Sequence, residues 1–301
     1  MIIKGLSLVK PYQIEIKEFD LEEPKEEEVQ IKTAFSGICG SDIAYYKGQE
    51  KYLGDDMWGH EGIGEIVKVG DKVKKFKIGD KVSSNWHPAF REYYNAPQEN
   101  CIKIPKLSKR YILQCVSCPM NALLQANKIK KIDINKDFIL VIGSGFTAYT
   151  FAQILKGVDV YGKYNENTFR KIFALNFYKN REELRPEYDI IISCEVTLEP
   201  YEIIEKHLKV GGLFIHFATP REPFTTQFEE WNWKNFKVLF PSPRGKEFPK
   251  AIKKTLELIE NQGLDMDILY SKGYSFENAL MAFDDFVNKR VEGEFKYYLK
   301  V

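Results

Sequence analysis

The chain has 301 residues, of which 44% are hydrophobic, 29% charged and 14% aromatic, which excludes a disordered tail, a collagen and a disulfide-stapled mini-protein. Its 44 basic residues nearly cancel its 43 acidic ones, so no global field steers it toward nucleic acid or an anionic membrane, and a small-molecule partner is expected. The length suits about two domains, and five scattered cysteines, an odd number, suit a reducing compartment.

The amino terminus, beginning Met1-Ile2-Ile3-Lys4-Gly5, lacks an apolar leader core, and no later run approaches the ~20 apolar residues of a spanning helix. A cytoplasmic protein is expected. From Met1 to about Pro105, short β-rich runs are cut by Gly, Asp and Pro. Residues 29–34 alternate as a strand does, residues 62–70 read as another strand, and residues 71–83 continue with tight turns. The pattern predicts an antiparallel, barrel-like β unit. An acidic cluster at 22–28 and a basic cluster at 72–81 fall between predicted strands and read as solvated loops.

Beyond Pro105 the pattern changes. A helical stretch at 112–127 precedes residues 137–142, an apolar run of the kind buried on both faces of a sheet. Similar runs at 158–161, 188–193 and 213–217 alternate with helical segments at 149–155, 168–175 and 200–208, which predicts a parallel, doubly wound sheet. Two amphipathic helices, 249–262 and 276–289, and a closing strand at 294–301 complete the chain.

Two constellations carry chemistry. In the first, Gly143-Ser144-Gly145-Phe146-Thr147-Ala148 follows a buried strand and opens a helix. Gly143 allows the tight turn, Gly145 lets backbone N–H groups approach a pyrophosphate, and Ala148 permits close helix–strand packing, as in dinucleotide-binding Rossmann units. An acidic residue at the end of the next strand would select NAD. The sequence offers Gly162-Lys163-Tyr164 instead, and Asp159 falls too early, so NADP is expected over NAD. Lys163 would pair the 2′-phosphate and Tyr164 would stack on adenine.

In the second, Gly37-Ile38-Cys39-Gly40-Ser41-Asp42 and Gly59-His60-Glu61 bring together zinc-type ligands, and Cys118 in Ser117-Cys118-Pro119 is the candidate for a third. Cys115 and Cys118 also form a C-x-x-C pair, but no thioredoxin-like context surrounds it. Cys118 is therefore favoured as ligand, and Cys115 is the alternative. Cys101 and Cys194 read as core; His87, His207 and His216 lack companion ligands.

With these segments the chain resembles the zinc-dependent alcohol dehydrogenases of the medium-chain dehydrogenase/reductase superfamily, over essentially its whole length. The segments are Gly37–Asp42 for the family's G-x-C-G-[ST]-D, Gly59–Glu61 for its G-H-E, and Gly143–Ala148 for its glycine-rich fingerprint. The resemblance implies an α/β protein with a GroES-like β-barrel catalytic domain over residues 1–119 and 240–301, and a Rossmann domain over 120–239. It implies one catalytic zinc held by Cys39, His60 and Cys118, with Glu61 beside the metal and able to replace a departing water. It implies Ser41 as the hydroxyl that meets the substrate oxygen, and Asp42 as the group that orients His60. Hydride would pass between NADP(H), or NAD(H), and an alcohol or carbonyl substrate in a cleft between the domains, lined by Trp58 and Trp86. The chain would form a homodimer or homotetramer.

Two departures stand out. Where many relatives insert a lobe with four cysteines for a structural zinc, only residues 83–89 intervene here, so no structural zinc is expected. The family's relay histidine position is Ala44. The sequence is also compatible with two other function classes: a zinc-free reductase of an activated double bond or quinone, and a nonenzymatic NADPH-binding sensor.

Overall fold

The computed structural model describes residues 1–52, 54–55, 58–171, 176–219, 229–243, 245–289 and 291–301. The chain divides into two compact units, Met1–Cys115 with Met266–Val301, and Val116–Asp265.

The first unit opens with β1 (Ile2–Lys10) and β2 (Gln13–Asp20), an antiparallel pair of their own. There follow β3 (Glu28–Gly37), α1 (Gly40–Tyr46), β4 (Glu61–Val69), β5 (Lys81–Asn85), β6 (Tyr93–Pro97) and β7 (Cys101–Lys103). Val29 and Ile31 of β3 and Ile66 of β4 point into a small core with Val82, Tyr94 and Ala96. The acidic cluster pairs on the surface with Lys72 of the basic cluster, on Glu26 at 2.5 Å, and with Lys68 of β4, on Glu23 at 2.6 Å. Exposed pairs of this kind contribute at most about 1 kcal/mol each, which agrees with solvated loops.

The second unit begins inside α2 (Gln114–Ile129), just after Cys115. It continues through β8 (Ile139–Ile142), α3 (Phe146–Leu155), β9 (Asp159–Tyr161), α4 (Glu166–Arg170), β10 (Asn176–Tyr178), β11 (Tyr188–Ser193), α5 (Glu199–His207), β12 (Leu208–His216), α6 (Glu229–Lys234), β13 (Lys237–Leu239) and α7 (Phe248–Glu260). Among the described residues its six strands are all parallel, in the order β10-β9-β8-β11-β12-β13. This is the doubly wound arrangement with its switch point between β8 and β11, where ligands bind at the carboxyl ends of the strands. Ile190, Ile191 and Ile192 are fully buried, as a strand covered on both faces requires. The helix expected at 168–175 is seen as α4; residues 172–175 lie outside the described residues.

The chain then returns to the first unit with α8 (Met266–Leu269), β14 (Tyr270–Ser275), α9 (Ala279–Asn288) and β15 (Lys296–Lys300). The main sheet of that unit runs β14-β15-β3-β4-β5-β7, with β6 also on β3, and the β14–β15 pair is parallel rather than antiparallel. The sequence places the return near residue 240; in the structure it comes at Met266, and α7 belongs to the second unit. There Lys128 Nζ donates to Glu247, just before α7, and Asp265 N donates to Gln153 Oε1 at 2.6 Å, just after it. The apolar stripe of α7 announces a buried face and does not say against what.

In the first unit's larger core Trp58, Phe90 and Phe283 meet edge-to-face or tilted, with ring centroids 5.3–5.8 Å apart. Trp58, expected to line a cleft, is 1% exposed and belongs to this core. Among the described residues no helix is long and apolar enough to cross a membrane.

Candidate metal and nucleotide sites

Cys39 stands between β3 and α1 as the residue that caps the helix, with extended backbone (φ −82°, ψ 157°). Asp42, fully buried one turn on, accepts from Cys39 N at 2.7 Å and from Gly59 N at 3.4 Å, and its Oδ1 lies 3.7 Å from His60 Nδ1. One carboxylate thus braces both segments and sits on one edge of the imidazole. Burial pushes Asp42 up to about 7. Burial alone would lower His60, but the Asp42 and Cys39 charges outweigh it and raise the ring to about 9.

His60 and Glu61 sit at the start of β4. Gly59 precedes them at φ +79°, where a side chain would strike the Phe90 ring 2.2 Å away. Only glycine serves at this close approach. Cys115 lies in the first turn of α2, and Pro119 inside that helix cannot donate to the Cys115 carbonyl.

The donor atoms of Cys39, His60, Glu61 and Cys115 all lie within 4.8 Å of one another. The two sulfurs are 3.3 Å apart. Contact with Cys115 holds Cys39 well below the usual thiol range, and the same contact, with burial, pushes Cys115 well above it. Sulfurs sharing a tetrahedral zinc at about 2.3 Å would stand just under ~4 Å apart, a small adjustment from the observed separation. Two thiols and an imidazole fit zinc chemistry, with a fourth position left for water or substrate. The structure therefore brings together Cys39, His60 and Glu61 with Cys115; Cys118, one turn further along α2, is not among the converging donors.

Sequence reading missed what stands behind Glu61. Its Oε1 accepts from Lys296 Nζ and from Cys115 Sγ, each at 2.5 Å, and its Oε2 accepts from Tyr270 OH at 2.9 Å. All three groups are buried or nearly so. Burial lowers the Lys296 ammonium, yet the charges of Cys115, Glu61 and Cys39 outweigh it and raise it above its ordinary value. Gly37 makes room: a Cβ there would lie 2.3 Å from Glu61 Oε2. Ser41 is half-buried in the first turn of α1, and Ala44 is fully buried. Trp86, half-buried, stacks on His60 at 5.9 Å with the ring planes 16° apart.

In the second unit the glycine-rich turn follows β8. Gly143 adopts φ +125°, which favours glycine, with Cys194 Cβ 3.1 Å from where its own Cβ would be. Cys194, read as core, therefore packs on the turn. Nothing lies within 4 Å of where a Gly145 side chain would start, and Gly145 caps α3, whose first residues are Phe146 and Thr147. Open space over backbone N–H groups at the start of a ten-residue helix suits a pyrophosphate. Gly162 packs on Ser144, where a Cβ would lie 2.6 Å from the Ser144 Cβ. Ser144 Oγ accepts from Tyr164 N at 3.1 Å and its carbonyl accepts from Asn165 Nδ2 at 2.8 Å. Lys163 and Tyr164 are exposed on this tied-down loop. Asp159 is engaged elsewhere: Arg185 Nε donates to it at 2.6 Å, Asn176 Nδ2 at 2.9 Å and Tyr188 OH at 3.1 Å.

Residues 25–106 match the family model of the alcohol dehydrogenase GroES-like domain. The starvation-sensing protein RspB of Escherichia coli K12 is 27% identical over 186 residues, about half of each chain (52% and 54%). The L-threonine 3-dehydrogenase of Vibrio cholerae is 26% identical over 336 residues, covering 94% of this chain and 96% of that one. Among solved structures, a provisionally assigned zinc-binding dehydrogenase from Sinorhizobium meliloti 1021, bound to NADP, superposes with a TM-score of 0.84 at 16% identity over the whole of both chains.

Proposed function

Because the chain belongs to the alcohol dehydrogenase-like enzymes of the medium-chain dehydrogenase/reductase superfamily, we propose that it is a zinc-dependent oxidoreductase that exchanges a hydride between NADP(H) and an alcohol or carbonyl substrate. The convergence of Cys39, His60 and Cys115 within one unit carries this reading. The chemistry supplied when the groups are bound is Lewis-acid polarisation of the substrate oxygen by zinc and hydride exchange with the nicotinamide.

The chain's own residues do the rest. Cys39 and Cys115 would hold the zinc as thiolates, and His60 would offer Nε2, with Asp42 on its Nδ1 edge. Glu61, paired with Lys296, stays within reach of the same point. Ser41 Oγ would accept a hydrogen bond from the substrate hydroxyl and pass its own proton to water as it takes the substrate's, since Ala44 has no side-chain group to receive it. Gly143, Ser144, Gly145, Phe146 and Thr147 present backbone groups to the pyrophosphate, and Gly162 leaves the strand end without a carboxylate for a ribose. Lys163 pairs the 2′-phosphate and Tyr164 covers the adenine.

Incubating the purified chain with NADPH and a panel of aldehydes, ketones, polyols and sugar-linked carbonyls, before and after chelator treatment, tests this. Cofactor oxidation that is lost on chelation and restored by zinc is expected; oxidation of NADPH by a quinone or enone that survives chelation supports the zinc-free alternative. For the cofactor, Lys163→Ala is expected to weaken NADPH binding about tenfold, the worth of a charge-assisted contact to phosphate, and to leave NADH binding unchanged in a fluorescence titration. Equal loss of both would refute the 2′-phosphate contact.

A further inference from the structure

The connection that takes the place of the cysteine lobe bears directly on the metal site. We propose that Trp86 is a positioning residue that couples the two ligand-bearing segments, the His60 end of β4 and the Cys115 end of α2, and fixes the plane of the His60 ring. The inference rests on the zinc reading above.

Trp86 has φ +68°. For a bulky side chain this left-handed backbone is a strained outlier, which persists only where the surroundings over-determine it. Its N–H is shared between the His60 carbonyl at 3.3 Å and Gln114 Oε1 at 2.8 Å. Gln114 is fully buried and immediately precedes Cys115. Three residues on, Ala89 N donates to the Gly59 carbonyl at 2.7 Å, so the connection brackets His60 from both sides. A second tie runs parallel: Leu113 N donates to Ser83 Oγ at 3.4 Å.

The strained backbone thus points one N–H at both ligand segments, and the same residue lays its indole on the face of the imidazole. Asp42 holds the edge of that ring and Trp86 its face. Asn85 pairs opposite Glu61 in the β4–β5 ladder, so the next residue is delivered beside His60 by the sheet register. With only residues 86–89 between β5 and Phe90, this turn locks the ligand-bearing segments to one another.

Three variants separate ring from backbone. Trp86→Gly keeps the N–H, relieves the strain and removes the ring; Gln114→Leu removes the shared acceptor; Trp86→Phe keeps a stacking ring. Zinc affinity is measured on refolded, metal-free protein against a competing chelator, and cobalt(II) loading reports ligand geometry through its absorption bands. Trp86→Gly and Gln114→Leu are each expected to lose about tenfold in zinc affinity, the low end for residues that support a ligand, and to shift the cobalt bands. Trp86→Phe is expected to stay within about threefold of wild type, with unshifted bands. If Trp86→Gly does not fold, the contrast between Gln114→Leu and Trp86→Phe decides. Wild-type affinity and bands in the first two variants, or an equal loss in Trp86→Phe, would overturn the coupling. A wild-type chain that takes up neither metal would overturn the zinc reading, and the coupling with it.

Discussion

Cys115→Ser is expected to strip the chain of zinc, while Cys118→Ser keeps its metal and its activity. The two cysteines lie three residues apart on α2, but only Cys115 brings its sulfur to the point shared by Cys39, His60 and Glu61. Loss of a thiolate ligand should exceed the roughly 10–100-fold drop in affinity that follows loss of a supporting residue. Metal content of the two purified variants distinguishes them directly. A Cys118→Ser protein that loses its zinc, beside a Cys115→Ser protein that retains it, would reverse the assignment.

Lys296→Met should destabilise the metal-free protein by about 3–5 kcal/mol, because it leaves the Glu61 carboxylate buried without its cation. Both groups are almost fully buried, so solvent screens little of the interaction. Tyr270 OH remains on Oε2 and offsets only part of the loss. Converting both partners, Glu61→Gln with Lys296→Met, removes the stranded charge and should recover most of the stability, since replacing a buried pair as a unit is often close to neutral. The fall and the recovery are read from urea midpoints. A single variant as stable as wild type would show that the pair is solvated in solution.

Much of this site was legible in the sequence, because candidate ligands and turn glycines announce themselves locally. His60-Glu61 behind Gly59, the capping Cys39 with Asp42 three residues on, and the Gly143–Gly145 turn after an apolar run each depend on neighbours in the chain. The strand–helix alternation of the second unit reads directly from its apolar runs for the same reason. The choice between Cys115 and Cys118 does not, since residues at i and i+3 share a helix face, and the outcome depends on where α2 starts, which the Gln114–Trp86 contact helps to set. Lys296 and Tyr270 reach Glu61 across 235 and 209 residues of chain, a pairing no local pattern encodes. The short α1, the β1–β2 pair and the parallel β14–β15 edge were likewise not specified, because their pairing depends on tertiary contacts more than on propensity.

The proposed single zinc, held by Cys39, His60 and Cys115, underlies the proposed chemistry, the choice of third ligand and the role of Trp86. Elemental analysis of the chain, purified without chelator and dialysed against metal-free buffer, tests it most directly. One equivalent of zinc per chain, absent from Cys39→Ser, is the expected result; no zinc, or two equivalents, would contradict it.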